Sequence, residues 1–262
     1  PVIRRKINKF ALETVGDISW PEHATIFTVP VKMSVSMKVS LLIWGESAEN
    51  EIGGPIEAQD SSILDRRWLE EFGGLLGLRT NDISDILQIP KEKLIMYTYP
   101  SESELKQNET TGLFLGQFLP WDGHQNATIA KQHGFIPYEK DVEGSIVNYE
   151  NLDNVYMRIH DYFKFLKYGY DRVTDWCCTH IRRGRMTREE AVKINQAKSG
   201  KFPEEYLGYK LSEILDEINC SREEFIKICD KFTNKSLFQC NNNNELIKDE
   251  KLNLVLKNNE YK

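Results

Sequence analysis

A chain of 262 residues buries roughly three quarters of its unfolded surface, enough for one large domain or two smaller ones. Its 40% hydrophobic and 28% charged residues are globular values, and a net charge of −6, from 34 basic against 40 acidic side chains, argues against a nucleic-acid partner. No apolar run is long enough to span a bilayer and no signal peptide opens the sequence, so a cytoplasmic protein without a membrane span is expected; five cysteines without CxxC spacing indicate buried thiols rather than a disulfide framework or a zinc site.

In chain order, residues 1–16 carry Ile3, Ile7, Phe10 and Ala11 on one helical side and end at Gly16. Pro1 fits either removal of a methionine or a chain that begins inside a larger fold. Residues 24–39 predict a strand or loop broken at Pro30, then a short helix, and LLIW (41–44) a buried strand of the parallel type. A helix is expected over SSILDRRWLEEFGG, a strand over 92–100, a strand over TTGLFLGQFLPWDGH ending in a turn, and a helix over 126–133. Strand, helix and strand again is an α/β rhythm.

From residue 151 the pattern is helical. One helix stops at Gly169, Thr187 with Glu190 and Ser221 with Glu224 form capping boxes, and Pro203 suits the first turn of a helix through Leu215. The asparagine-rich segment 241–262 is expected to be loosely ordered. The expected domains are therefore an α/β region over 1–150, a helical region over 151–240 and a flexible tail over 241–262.

Two stretches concentrate chemistry. In LLIWGESAENEIGGP an apolar strand runs into Gly45, Glu46, Glu49, Glu51, Gly53 and Gly54, either a solvated acidic loop or a ligand crevice at a strand end. In DRVTDWCCTHIRRGRMTREEA, Asp171, Arg172, Asp175, His180, Arg182, Arg183 and Arg185 surround Gly184 before a helix start. That set suits an anion, or it locks the helical half to the sheet through Asp171, Asp175 and Glu189. His124, after Trp121-Asp122-Gly123, is a base oriented by Asp122 or a solvated turn residue. His160-Asp161 are neighbours on a helix and do not form a dyad. GxGxxG, GxxxxGK[ST], GxSxG and HExxH do not occur.

The succession RRKINKFALETVGDISWPEH, LLIWGESAENEIGGP, LGQFLPWDGHQNATIAKQHGF, EGSIVNYENLD, IHDYFKFLKYGYDRVTDWCCTHIRRGRMTREEA and a late EEF resembles the N-acetyl sugar amidotransferases of lipopolysaccharide and flagellin-glycan biosynthesis over about residues 1–232. The resemblance implies an α/β fold, part of an adenine-nucleotide α-hydrolase-like (PP-loop) parallel sheet, followed by the helical region. It implies ATP and Mg²⁺ as cofactors and a nucleotide-linked N-acetyl sugar as substrate, whose acetamido group becomes an acetamidino group. Implied partners are a glutaminase and a cyclase-like subunit that supply ammonia. The catalytic residues would be Glu46, Glu49 and Glu51. Gly45, Gly53, Gly54, Trp121, Asp122, His124, Asp175, His180, Arg182 and Arg183 would bind nucleotide or sugar, with no protein metal ligand assigned. The family's SGGxDS loop and cysteine-rich segment do not occur, so the isolated chain is expected to be inactive and to need a separate N-terminal half; the alternative is a noncatalytic fragment or scaffold for pathway partners.

Overall fold

A computed structural model of the chain describes residues 2–47 and 77–257; the helix expected over SSILDRRWLEEFGG lies outside them. Two units are distinct, one of Pro1–Asn8 with Trp20–Phe135, the other of Lys9–Ser19 with Ile136–Lys262. Helices predominate in both, and the parallel sheet has two strands among the described residues.

Helix α1 (Val2–Val15) ends where expected, at Gly16, whose φ of +64° and close approach to the Phe232 ring both require glycine. The break predicted at Pro30 is wrong: α2 runs unbroken over Trp20–Met37. Trp20, Ala24, Phe27, Val31 and Ser34 recur at helical spacing and are buried. Burying several such side chains, at about 1.5–3 kcal/mol each, outweighs the ~3 kcal/mol that an interior proline costs.

Strand β1 (Leu41–Trp44) pairs in parallel with β2 (Thr111–Phe114), Leu41 opposite Thr111 and Trp44 opposite Phe114. The two strands match the reading of the sequence, but β1 is not a buried strand. Leu41 and Ile43 are 50% and 59% exposed, and burial is confined to the last residue, Trp44, packed between the rings of Phe27 and Phe114. The strand expected over 92–100 is instead a 3₁₀ helix, Lys91–Tyr97. Leu94 is its one buried residue, so no alternating face exists for a sheet to cover, and Thr80 Oγ1 donates to the Tyr97 carbonyl at its end. Around it lie α3 (Thr80–Leu87), α4 (Glu102–Asn108), opened by a Ser101–Glu104 capping box, and α5 (Gly123–Gln132).

The second unit is built on α6 (Met157–Tyr168), which stops at Gly169 with φ +79°. Helices α7 (Arg172–Arg182) and α8 (Arg188–Lys198) form a hairpin, with the Thr187–Glu190 capping box in place. Pro203 does not open a helix. It precedes a hairpin of β3 (Glu205–Tyr206) and β4 (Tyr209–Lys210), and α9 (Leu211–Asp216) and α10 (Arg222–Phe232) follow, the latter with the Ser221–Glu224 box. Ile159, Phe163, Leu166, Phe202, Leu215 and Phe225 belong to one continuous core. The tail is ordered through residue 257, against expectation. Bridges pair Phe238 with Leu256, Cys240 with Leu246 and Lys248 with Leu254, while Leu246, Leu252 and Leu254 pack on that core.

Candidate functional site

Parallel pairing brings the ends of β1 and β2 out side by side, and the ladder continues one step beyond the strands through a bond from the Gly116 N–H to the Glu46 carbonyl (2.9 Å). A Cβ at Gly116 would lie 2.6 Å from that of Ser47, so the two exit segments touch there and only glycine fits. Gly45 has open space where a Cβ would be, and Glu46 is half-buried. Downstream, the Asp122 carboxylate accepts from the His124 N–H (3.1 Å) and caps α5, while His124 itself is exposed on the first turn and Trp121 is half-buried. Asp122 is thus the helix cap and fixes the backbone at His124. Glu49, Glu51, Gly53 and Gly54 lie outside the described residues. Among the described residues Glu46 belongs to no trio of His, Cys, Asp or Glu ligand atoms close enough to hold a cation.

The second set falls on the α7–α8 hairpin of the other unit. His180 stacks on Trp176 (5.4 Å between ring centres) and its Nδ1 accepts from Arg185 Nε (2.9 Å), which places the ring proton of a neutral imidazole on Nε2. Arg182 Nη2 donates to Thr179 Oγ1, and Arg183 ends the helix. Residues 181–185 are all exposed. Gly184 has φ +67° with open space around it, so the turn conformation accounts for this glycine. The two carboxylates suggested as locks for these arginines are committed elsewhere. Asp175 pairs with Lys164 of α6 (2.5 Å), and the fully buried Asp171 caps α7 through the Val173 N–H and also accepts from the Gly200 N–H.

Buried ion pairs not singled out from the sequence organise the same unit. Arg172 grips Asp161 with two bonds, Nε at 2.7 Å and Nη2 at 3.0 Å, and approaches Glu150 at 3.6 Å. Burial disfavours its charge, but Asp161 and Glu150 outweigh that and hold the guanidinium protonated. His160 Nδ1 lies 2.8 Å from Asp17 Oδ1; burial opposes the imidazolium, yet the Asp17 charge and hydrogen bond prevail and raise its pKa. Arg158, 3% exposed, donates through Nη2 to the Lys201 carbonyl. The available signal was charge on an otherwise apolar helix: Arg158 and Asp161 sit three residues apart in MRIHDYFKF, a segment buried on nearly every side. Of the thiols, Cys177, Cys220 and Cys229 are buried as expected, Cys220 being pushed up to about 11 by burial, but Cys178 is exposed.

Residues 143–252, less than half of the chain but most of this helical unit, match the family described as LPS biosynthesis protein WbpG-like, C-terminal domain. No curated protein matches the chain. Among the described residues no helix is long and apolar enough to cross a membrane.

Proposed function

We propose that this chain takes part in lipopolysaccharide biosynthesis as part of an ATP-dependent amidotransferase that converts the acetamido group of a nucleotide-linked sugar to an acetamidino group. The observation that carries the reading is the match of residues 143–252 to a domain of LPS biosynthesis proteins. The parallel β1–β2 pair, with its exits side by side at Glu46 and Gly116, supports an α/β site of PP-loop type in the other unit. In such chemistry the amide oxygen attacks the α-phosphate of ATP and pyrophosphate leaves; ammonia then adds to the activated carbon and AMP departs carrying the former amide oxygen. Adenylation turns a poor leaving group into a good one.

The described residues fit only part of this machinery. They assemble no carboxylate set for Mg²⁺ at Glu46 and contain no SGGxDS loop to cradle a triphosphate. No step is therefore routed through ATP or Mg²⁺ here. Within the proposal His124 faces solvent where it can exchange a proton, and Arg182 and Arg183, on an exposed turn, offer planar donors to a phosphate. The partners are an ammonia-supplying glutaminase with its cyclase-like subunit and a protein that carries the SGGxDS loop. The missing cation set favours one competing reading, a noncatalytic module that binds pathway proteins.

The test is pyrophosphate release and product mass with ATP, Mg²⁺, ammonium and a UDP-N-acetyl sugar. The chain alone is expected to stay at background, and addition of the SGGxDS-bearing protein to yield the amidine. No amidine in the combined mixture, with both proteins folded, would support the noncatalytic module. In the active mixture Arg183→Lys keeps charge but loses the two-pronged contact. It is expected to lower kcat/KM by about 1–3 kcal/mol in barrier terms and to leave Tm unchanged.

A further inference from the structure

Beside α6, the segment Asp141–Gly144, the end of α8 and residues 201–205 enclose a cavity of about 300 Å³, at the small end of the range for small-molecule sites. Val142, Ala197 and Phe202 give it apolar walls, Lys198 and Lys201 stand on its lining, and Arg158 lines it from α6. The Arg158 guanidinium is buried, and its Nη1 has no hydrogen-bond partner among the described residues.

The neighbouring carboxylates do not fill that vacancy because each is engaged elsewhere. Asp161 holds Arg172 with both oxygens, Asp171 takes the N–H groups of Val173 and Gly200, and Glu143 accepts from the Leu207 N–H (3.1 Å). Gly144, at φ +73°, adapts the loop to the guanidinium, since a Cβ there would lie 2.4 Å from Nη1. A buried donor left unpaired on a cation is costly, and glycine at this contact keeps the loop from sealing the group away.

We infer that this cavity is a binding site for a small organic anion, whose carboxylate or phosphate oxygen accepts from Arg158 Nη1 while Lys198 and Lys201 add charge and the apolar walls hold its body. The inference rests on the cavity and the donor, and stands apart from the amidotransferase reading. A planar donor with an open edge suits an oxyanion, and a cavity of this size takes a single ring.

The test titrates the full chain, labelled with ¹⁵N-arginine, with glucuronate, glucose 1-phosphate and neutral glucose, following the Arg158 side-chain resonance. At least one anion is expected to shift it with saturation at a Kd below about 1 mM, glucose binding at least ~10-fold more weakly. Which anion binds separates the carboxylate source from the phosphate source. Arg158→Lys risks unfolding the unit, so the second variant is Lys201→Glu at an exposed position, which keeps the carbonyl that Arg158 uses. It is expected to weaken binding at least ~5-fold without lowering Tm. No saturable shift, equal binding of glucose, or unaltered binding to Lys201→Glu overturns the site.

Discussion

The two units reach stability by different routes. The sheet-bearing unit rests on a few large contacts, among them Trp44 against Phe27 and Phe114, and leaves Leu41, Ile43, Met37, Ile95, Met96 and Phe118 about half exposed or more. The helical unit buries a continuous set of side chains from α6, α9, α10 and the tail, and threads ion pairs among them. Apolar content therefore does not by itself specify a core. LLIW is wholly apolar yet half exposed, whereas MRIHDYFKFLKY is studded with charge and mostly buried.

The largest break in that contrast should come from the helical core. Phe163→Ala, which removes a ring packed on Phe225 and Phe232, is expected to cost about 4 kcal/mol in urea unfolding monitored by circular dichroism. A loss under 1 kcal/mol would mean that this core is no better packed than the sheet. Next is Asp161→Ala, which strands the Arg172 guanidinium and should cost about 3 kcal/mol; adding Arg172→Met should restore part of it. Additive losses in the double mutant would show that the pair is not coupled.

A smaller effect separates the units by pH. The folded His160 pKa lies above the ordinary 6.5, with Asp17 and Asp161 favouring the imidazolium and burial and Arg172 opposing it. Its ion pair contributes fully below pH 6.5 and is lost as pH rises through the higher folded value. Urea midpoints followed by fluorescence from pH 5 to 9 should fall across that interval in the native chain and stay flatter in His160→Gln. Identical slopes in the two proteins would remove the ion pair from the account. The smallest effect belongs to β1, where Ile43→Thr should change stability by less than about 0.5 kcal/mol, because the side chain is already exposed.

Local signals were legible where the residue itself does the work. Gly16, Gly169 and the capping boxes at Thr187 and Ser221 stop or start helices through their own backbone or hydroxyl chemistry, so sequence suffices. The misreadings arise where a distant contact decides. Pro30 is tolerated because of what α2 buries. The β3–β4 hairpin turns through Leu207 and Gly208, both with positive φ, and a leucine in that conformation gives no turn signal. In the tail the four asparagines masked the alternation of Leu252, Leu254 and Leu256. The same limit applies to chemistry. Asp122 and Gly184 have structural duties that the sequence did not disclose, Asp175 found Lys164 rather than an arginine, and Arg158 became visible as a site only once its unpaired nitrogen could be counted.

Asp171 carries a consequence for motion. One of its oxygens holds the first turn of α7, and the other holds the Gly200 N–H just past α8, so a single carboxylate clasps both ends of the helical hairpin. Amide exchange along residues 172–199 should accordingly be correlated: these protons become accessible together, in an opening event that releases the clasp, rather than by independent fraying from the two ends. Asp171→Asn retains one acceptor and gives up the other, and it should convert that single event into two with different rates.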